Sequence, residues 1–175
     1  MDNTIESISE IGIRICLDLR PYSIIDKKKF NELYEKLDEL NTKINITTPS
    51  LIPKELIKML LYISDGIIVQ CNFSEKKDHL INEWIILNSR LSKIFNVRND
   101  KTVEVNIEQE LDSHTNHVKI HTAGIIFKQL HQLIYNSDLI LTPSRYKEVG
   151  SLYDTKDENL MAYWRFLSII ESKLN

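Results

Sequence analysis

Three regularly spaced histidines are the grouping in this sequence that most suggests metal chemistry. His114, His117 and His121 stand at positions i, i+3 and i+7, and such positions fall on one face of a helix. Neutral imidazoles in that arrangement bind zinc or another transition metal, and Glu110 or Asp112 would supply an oxygen ligand. The spacing therefore predicts a helical metal-binding protein or metalloenzyme that uses this histidine cluster.

Two other interpretations of the same histidines remain open. Three histidines on a polar helix start are also typical of an ordinary solvated face. Alternatively, the trio would serve in acid–base catalysis, because an unperturbed imidazole titrates at about pH 6.5, although no nucleophile accompanies it. The sequence contains neither an HExxH nor a CxxC pattern, so no familiar zinc motif decides between these interpretations.

An acidic stretch precedes the histidines. It contains no basic residue, and its carboxylates are Glu104, Glu108, Glu110 and Asp112. An exposed acidic segment attracts a basic partner surface over long range and raises the rate of association. We therefore predict that these four residues bind a partner. The alternative is an ordinary solvated loop.

The overall composition narrows the classes of function. The 175 residues fit one domain, 1–175, with 42% hydrophobic and 27% charged residues, proportions that are ordinary for a globular protein. A net charge of −3 disfavours a nucleic-acid partner. The four glycines are isolated from one another and build no phosphate-binding loop, so we expect no cofactor.

Other features bear on location. The N-terminus lacks the basic and apolar regions of a signal peptide, and no apolar run approaches the roughly 18 residues that span a bilayer. Cys16 and Cys71 each lie within an apolar run, which favours free buried thiols in a reducing compartment. We therefore expect a cytoplasmic protein without a membrane partner.

Helical periodicity dominates the chain and predicts an all-α bundle of about six to eight helices. The predicted helices cover 4–19, 26–40, 53–71, 74–95, 123–134, 142–153 and 155–174. Residues 67–71 form a β-branched run that we interpret as continued helix rather than a buried strand. Residues 102–106 alternate in polarity, a pattern that fits one short β element and an extended loop equally well.

The predicted helix from Ser74 to Phe95 is the expected centre of the bundle. Its apolar positions recur at helical spacing, and in one turn the apolar face extends around most of the helix. The positions include Leu80, Trp84, Leu87, Leu91 and Ile94. A helix that is apolar on more than one face is usually buried between several neighbours. In the first predicted helix, Gly12 lies on the apolar face and would let a neighbouring helix approach closely.

In its general profile the chain resembles small single-domain bacterial immunity proteins of contact-dependent and other polymorphic toxin systems. The shared features are the length, slight acidity, low glycine content and a composition typical of an AT-rich coding sequence, with only two alanines, Ala123 and Ala162. The resemblance implies a tight complex in which the protein covers the active site of one cognate toxin, often a basic nuclease. Contacts would then come from Glu104 to Asp112 and from Glu32 to Glu39.

The leading prediction is therefore a non-enzymatic protein-binding module, an immunity protein against a cognate toxin. One alternative is the metal-binding protein or metalloenzyme built on the histidine cluster. The other is a helical regulator or adaptor with a small-molecule pocket. The sequence leaves the oligomeric state open, because an apolar helix face packs equally well against a core or a second copy.

Overall fold

The computed structural model describes residues 2–20, 24–49, 51–71, 74–95, 106–112, 116–137 and 157–175. The helices within these ranges are α1 (Asp2–Leu19), α2 (Lys27–Thr47), α3 (Lys54–Cys71), α4 (Lys77–Ile94), α5 (Ile107–Leu111), α6 (Ile120–Tyr135) and α7 (Glu158–Leu174). The strands are β1 (Leu51–Pro53) and β2 (His117–Lys119). The predicted all-α fold with one short β element is confirmed.

Helices α3 and α4 form the centre of the molecule, because each belongs to two groups of four packed helices. In the first group, α1, α2, α4 and α3 pack in that order around a closed ring. In the second group, α3, α4, α6 and α7 do the same. The prediction of a central helix is thus confirmed for α4, although it begins at Lys77 rather than Ser74, and α3 is an equally central partner.

The β-branched run in the second half of α3 is helical, as predicted. The helix continues through Gly66 to Cys71 without interruption, and Ile67, Ile68 and Val69 are all buried. Such residues are weak helix formers in isolation. Here the apolar area buried between the two helix groups outweighs that preference. Cys16 and Cys71 are free, buried thiols, also as predicted.

Aspartates fix the starts of two helices. The Asp26 carboxylate accepts hydrogen bonds from the backbone amides of Lys28 at 3.0 Å and Lys29 at 3.4 Å. The Asp157 carboxylate accepts from two amides in the first turn of α7, at 3.0 and 3.1 Å. Each cap satisfies amides that have no partner within the helix and contributes about 1 kcal/mol.

The two described strands lie outside the segment 102–106, where a short β element was predicted. Strands β1 and β2 pair antiparallel, with the buried Ile52 opposite the buried Val118. Residues 102–105 lie outside the described part of the chain, and Asn106 is the N-cap of α5. The predicted helix at 142–153 also lies outside it. A three-residue strand spans little more than one period of alternation, so these two strands carry almost no sequence signal.

Gly12 permits the close approach of α1 and α3, as predicted. A Cβ atom added to Gly12 would lie 2.5 Å from Cδ1 and 2.9 Å from Cγ1 of Ile63. Ile63 is fully buried and therefore has little room to move aside. At Gly66 on the facing helix, an added Cβ would lie 3.3 Å from Sγ of Cys16, a much milder contact.

The pair Gly12→Ala and Gly66→Ala tests this helix contact. Both substitutions raise the intrinsic helix propensity by the same amount. The difference between the two free energies of unfolding therefore reports the contacts that the new methyl groups make. We expect the free energy of unfolding of Gly12→Ala to be about 1–3 kcal/mol lower than that of Gly66→Ala, because overpacking shifts Ile63. Urea unfolding of both variants measures it. Equal stabilities would contradict close packing at Gly12.

Candidate functional site

The structure separates the histidines that were predicted to share a helix face. His117 opens β2 opposite Pro53, whereas His121 is the second residue of α6. The prediction that these two share a helix face is therefore wrong, because pairing with β1 holds His117 extended and only His121 is helical. His114 lies outside the described residues. Within the ranges that the structure describes, no group of three or more His, Cys, Asp or Glu side chains is placed to hold a metal ion.

Helix α5 carries the described part of the acidic stretch. Glu108 and Glu110 lie on this five-residue helix, and Asp112 is its C-cap. The side chain of Asn106 caps the N-terminus by accepting a backbone N–H from the first turn, at 3.1 Å. Residues 107–111 of the segment are thus a short helix rather than a loop. Glu104 lies outside the described residues.

Lysines from three other elements hold α5 in place. Lys119 of β2 donates to Glu110 at 2.8 Å, and Lys173 of α7 donates to both oxygens of Asp112 at 2.7 and 2.9 Å. The Lys54 ammonium group donates to the carbonyl of the last residue of α5 at 2.7 Å. These contacts fix the helix and offset the charges of two of its three described carboxylates.

The interface between α2 and α4 contains a buried carboxylate. Glu83 is only 4% exposed, and its Oε2 accepts a hydrogen bond from the Tyr34 hydroxyl at 2.5 Å. The ammonium group of Lys27 lies 4.0 Å from the other carboxylate oxygen. Burial, followed by the hydrogen bond to Glu83, raises the pKa of Tyr34 far above its ordinary range. Tyr34 therefore remains a neutral donor that satisfies the buried charge.

Arg90 continues this arrangement along the same interface. Its guanidinium carbon lies 4.5 Å from the centre of the Tyr34 ring, and its Nε lies 3.3 Å from a carboxylate oxygen of Asp38. Lys27 of α2 pairs with Glu83 of α4. Nearer the C-terminus of both helices, Asp38 of α2 pairs with Arg90 of α4. Helices α2 and α4 thus run in the same direction and are locked in register by charged and aromatic contacts.

The interface opens into a depression near the C-terminal ends of α2 and α4. This depression has a volume of about 590 Å³ and is lined by amides, hydroxyls and one ammonium group, which belong to Asn41, Asn45, Ser89, Ser92 and Lys93. Amides and hydroxyls both donate and accept hydrogen bonds. The lining therefore offers hydrogen-bond donors and acceptors side by side.

An apolar cavity of about 270 Å³ adjoins the polar depression and shares Asn45 with it. Its apolar wall consists of Ile44, Ile94, Phe95 and Ile120, and its rim of Thr48, Pro49 and His121. Phe95 is held by stacking on Phe127 of α6, with ring centroids 5.1 Å apart. We call the polar depression and this cavity together the α2–α4 groove. His121 is the sequence-predicted residue that the structure brings to it.

Sequence reasoning did not find the α2–α4 groove. A partial signal was present, because Asn41 and Asn45 are four residues apart, and Ser89 and Ser92 three apart, so each pair lies on one helix face. Such polar pairs are common on any solvated helix. That the two faces meet depends on the pairing of α2 with α4, which no local pattern encodes.

A second buried carboxyl group lies on α3. Oδ1 of Asp65 is buried and has no hydrogen-bond partner among the described residues. Burial, reinforced by the nearby charge of Glu171, raises the pKa of Asp65 to about 7, against the opposing effects of Arg20 and of a hydrogen bond with Tyr163. Asp65 therefore changes its protonation state near neutral pH.

Comparison with known proteins adds no family to this description. No family model matches the sequence, and no curated protein or solved structure is significantly similar to it. Among the described helices, none is both long and apolar enough to cross a bilayer.

Asp65→Asn tests the buried carboxyl group through the pH dependence of stability. The folded-state pKa of about 7 lies above the ordinary value of 3.8, so the folded protein binds the proton more tightly. In the wild type, the free energy of unfolding should therefore fall as pH rises from about 4 to 7, by up to about 4 kcal/mol, and the loss should persist above pH 7. Asp65→Asn should lack this decline.

Urea unfolding from pH 4 to 8 measures the effect as the difference between the variant and the wild type. The exposed Asp78 supplies the matched control, since Asp78→Asn removes a carboxyl group without removing a buried one. Parallel pH curves for Asp65→Asn and the wild type would show that Asp65 ionises normally in the folded protein.

Proposed function

We propose that this chain is a non-enzymatic protein-binding module, an immunity protein that neutralises a cognate bacterial toxin in the cytoplasm by covering its active site. The α2–α4 groove is the observation that supports this function. It combines a polar depression with an adjoining apolar cavity, and protein interfaces combine a hydrogen-bonding surface with a few buried anchor side chains.

The size of the apolar cavity favours a protein partner. At about 270 Å³ it is smaller than the roughly 300–1,000 Å³ of ordinary small-molecule pockets, and it suits a single large apolar side chain. Asn41, Asn45, Ser89 and Ser92 would then hydrogen-bond the flanking backbone of the partner. Lys93 would face an acidic side chain or a carboxylate in the same segment.

The rigidity of the α2–α4 groove supports tight binding. Tyr34, Glu83, Arg90 and Asp38 connect α2 to α4 directly beside it. A groove of fixed width loses little conformational entropy when a partner binds, so more of the interaction energy appears as affinity.

Helix α5 is proposed as a second contact, with basic residues of the toxin. Glu110 and Asp112 already pair with lysines of this chain, whereas Glu108 is exposed. Because α5 is fixed by these contacts, Glu108 is presented from a rigid support. Glu104, which lies outside the described residues, is retained as a proposed contact from the sequence alone.

A regulator with a small-molecule pocket is the second candidate function, and the polar depression is the observation that favours it, because its volume of about 590 Å³ lies within the usual range of small-molecule pockets. A small polar ligand would occupy the space assigned above to the backbone of the partner. Native mass spectrometry of the protein isolated gently from its own cells distinguishes the two. The immunity proposal expects a stoichiometric protein partner, whereas the regulator expects a small bound mass.

Ser92→Arg tests the role of the α2–α4 groove once the partner has been sequenced and purified. The larger cationic side chain would fill the polar depression, and we expect the affinity for the partner to fall at least about 100-fold. Ile46→Arg is the matched control, because Ile46 is 76% exposed on α2 and does not line the groove. Isothermal titration calorimetry gives both affinities.

The toxin assignment is tested with the same variants in cells. Wild-type protein and Ile46→Arg should relieve the growth arrest caused by the partner, and Ser92→Arg should not. If the partner causes no arrest, the toxin assignment fails. If Ser92→Arg binds like the wild type, the groove is not the binding surface.

Glu108→Gln tests the acidic contact without breaking a described ion pair within this chain. Loss of one attractive charge should lower the association rate several-fold at low salt and reduce the dependence of that rate on ionic strength. Stopped-flow mixing with the purified partner measures both quantities. Glu75→Gln, at an exposed position outside α5, is the control. Identical salt dependence in Glu108→Gln and wild type would exclude α5 from the encounter.

A further inference from the structure

The outer face of α1 carries an exposed stripe with coiled-coil spacing. Its members are Glu6, Glu10, Ile13, Leu17 and Arg20, all exposed and separated by four, three, four and three residues. We call this set the α1 stripe. A spacing of alternately four and three residues places side chains along one line of a helix, where a second helix packs against them.

The two apolar members of the α1 stripe are not needed by the core of this chain. Ile13 is 46% and Leu17 63% exposed, whereas α1 buries its opposite face against α2 and α3. The backbone amide of Arg20 donates to the carbonyl of Cys16 at 3.1 Å, so the helical geometry extends to the end of the stripe. The described stripe is thus one continuous helical surface.

The order of charges along the α1 stripe makes it complementary to itself in one orientation. Acidic residues occupy its first half, apolar residues its middle and Arg20 its end. If two copies of α1 pair antiparallel with their centres at residue 15, then Ile13 faces Leu17 of the other copy. Glu10 faces Arg20 of the other copy at the same time. Parallel pairing would instead place Glu10 against Glu10 and Arg20 against Arg20, which like charges oppose.

We propose that this protein forms a twofold-symmetric dimer in which the α1 stripes of two copies pack antiparallel. A twofold interface uses the same surface patch on both subunits, and the α1 stripe meets this requirement through two Ile13–Leu17 contacts and two Glu10–Arg20 ion pairs. This dimer is independent of the proposed toxin complex, since it requires no other protein.

The proposed contact is small, because it involves one helix from each copy. One pair of helices of this length buries less than the roughly 1,200–2,000 Å² of stable complexes. The dimer is therefore weak and reversible, with a dissociation constant in the micromolar range, on the order of that found for small interfaces.

Charged groups near Glu10 and Arg20 do not block the proposed contacts. Glu10 lies 3.7 Å from Arg14 on the same helix, and both side chains are about 60% exposed, so this pair is weak. Arg20 acts at longer range on Asp65 but is itself exposed. Both residues are available to a second copy.

Sedimentation velocity over a concentration series of the purified full chain tests the dimer. We expect the wild type to change from monomer to dimer between low and high micromolar concentration. Leu17→Arg should weaken dimerisation at least 10-fold, because it places two cations in the apolar centre. Ile46→Arg should leave it unchanged, since Ile46 is similarly exposed but lies on α2. Circular dichroism checks that each variant is folded.

Charge exchange tests the antiparallel register. Glu10→Lys and Arg20→Glu should each weaken self-association about 10-fold, because each creates two like-charge contacts. An equimolar mixture of these two variants should form a heterodimer with the affinity of the wild type. In that heterodimer the introduced lysine faces the introduced glutamate, and the unchanged Arg20 of one copy faces the unchanged Glu10 of the other. Restoration in the mixture excludes a local folding defect. Weakening in the single variants excludes a parallel dimer, in which like charges would face each other in the wild type and in both variants alike.

Three outcomes would overturn the proposal. The first is a wild type that stays monomeric at several hundred micromolar, and the second is a Leu17→Arg variant that dimerises like the wild type. The third is a mixture of Glu10→Lys and Arg20→Glu that associates no better than either variant alone. Loss of binding to the toxin in Leu17→Arg, with a monomeric wild type, would assign the α1 stripe to that partner instead.

Discussion

The burial of Trp84 at the shared α3–α4 pair is the interaction on which the two helix groups depend. This side chain is 1% exposed, and its indole N–H donates to Oγ of Ser64 on α3 at 3.1 Å. Its ring stacks on His131 of α6, with centroids 5.2 Å apart. Trp84 thus contacts both helix groups. Its N–H group forms a hydrogen bond with α3, and its ring stacks on a side chain of α6. Burial lowers the pKa of His131, which favours the neutral form of the stacked imidazole.

The buried Glu83 acts on the fold in a different way. Placing a carboxylate in an interior is costly unless hydrogen bonds and opposite charges compensate for it. The Tyr34 hydroxyl supplies the hydrogen bond, and the more distant Lys27 ammonium group the opposite charge, only if α2 and α4 keep one relative position. Both groups reach Glu83 from fixed places on α2. The network therefore specifies the register of the two helices, and the α2–α4 groove is a consequence of that register.

The sequence predicted those parts of the fold that local periodicity encodes. The helix at 67–71, the central α4 and the close contact at Gly12 all follow from spacing or from the steric properties of a single residue. The strands β1 and β2 do not, because three residues are too short for a recognisable alternation. Their pairing also explains why the histidine spacing misled: a helical interpretation fails where the chain is extended through 117–119.

The candidate site was harder to predict than the fold, since it depends on which helices meet. Ser92 and Asn45 are ordinary polar residues on their own helices and become a site only when α2 lies beside α4. The acidic stretch shows the opposite case. Its acidic composition was evident from the sequence. The lysines that pair with Glu110 and Asp112, however, are Lys119 and Lys173, which come from other elements of the fold.

The positions of the two proposed surfaces have a consequence for assembly. In the ring α1–α2–α4–α3, helix α1 lies diagonally opposite α4, which supplies Ser89, Ser92 and Lys93 to the α2–α4 groove. The outer face of α1 and the outer face of the α2–α4 interface therefore point in different directions. Pairing of two α1 stripes would leave both grooves of the dimer open, so each subunit would bind its own partner in a two-to-two complex. Binding of partners would strengthen the association of the α1 stripes in one case only, namely if the two partners contact each other across the twofold axis.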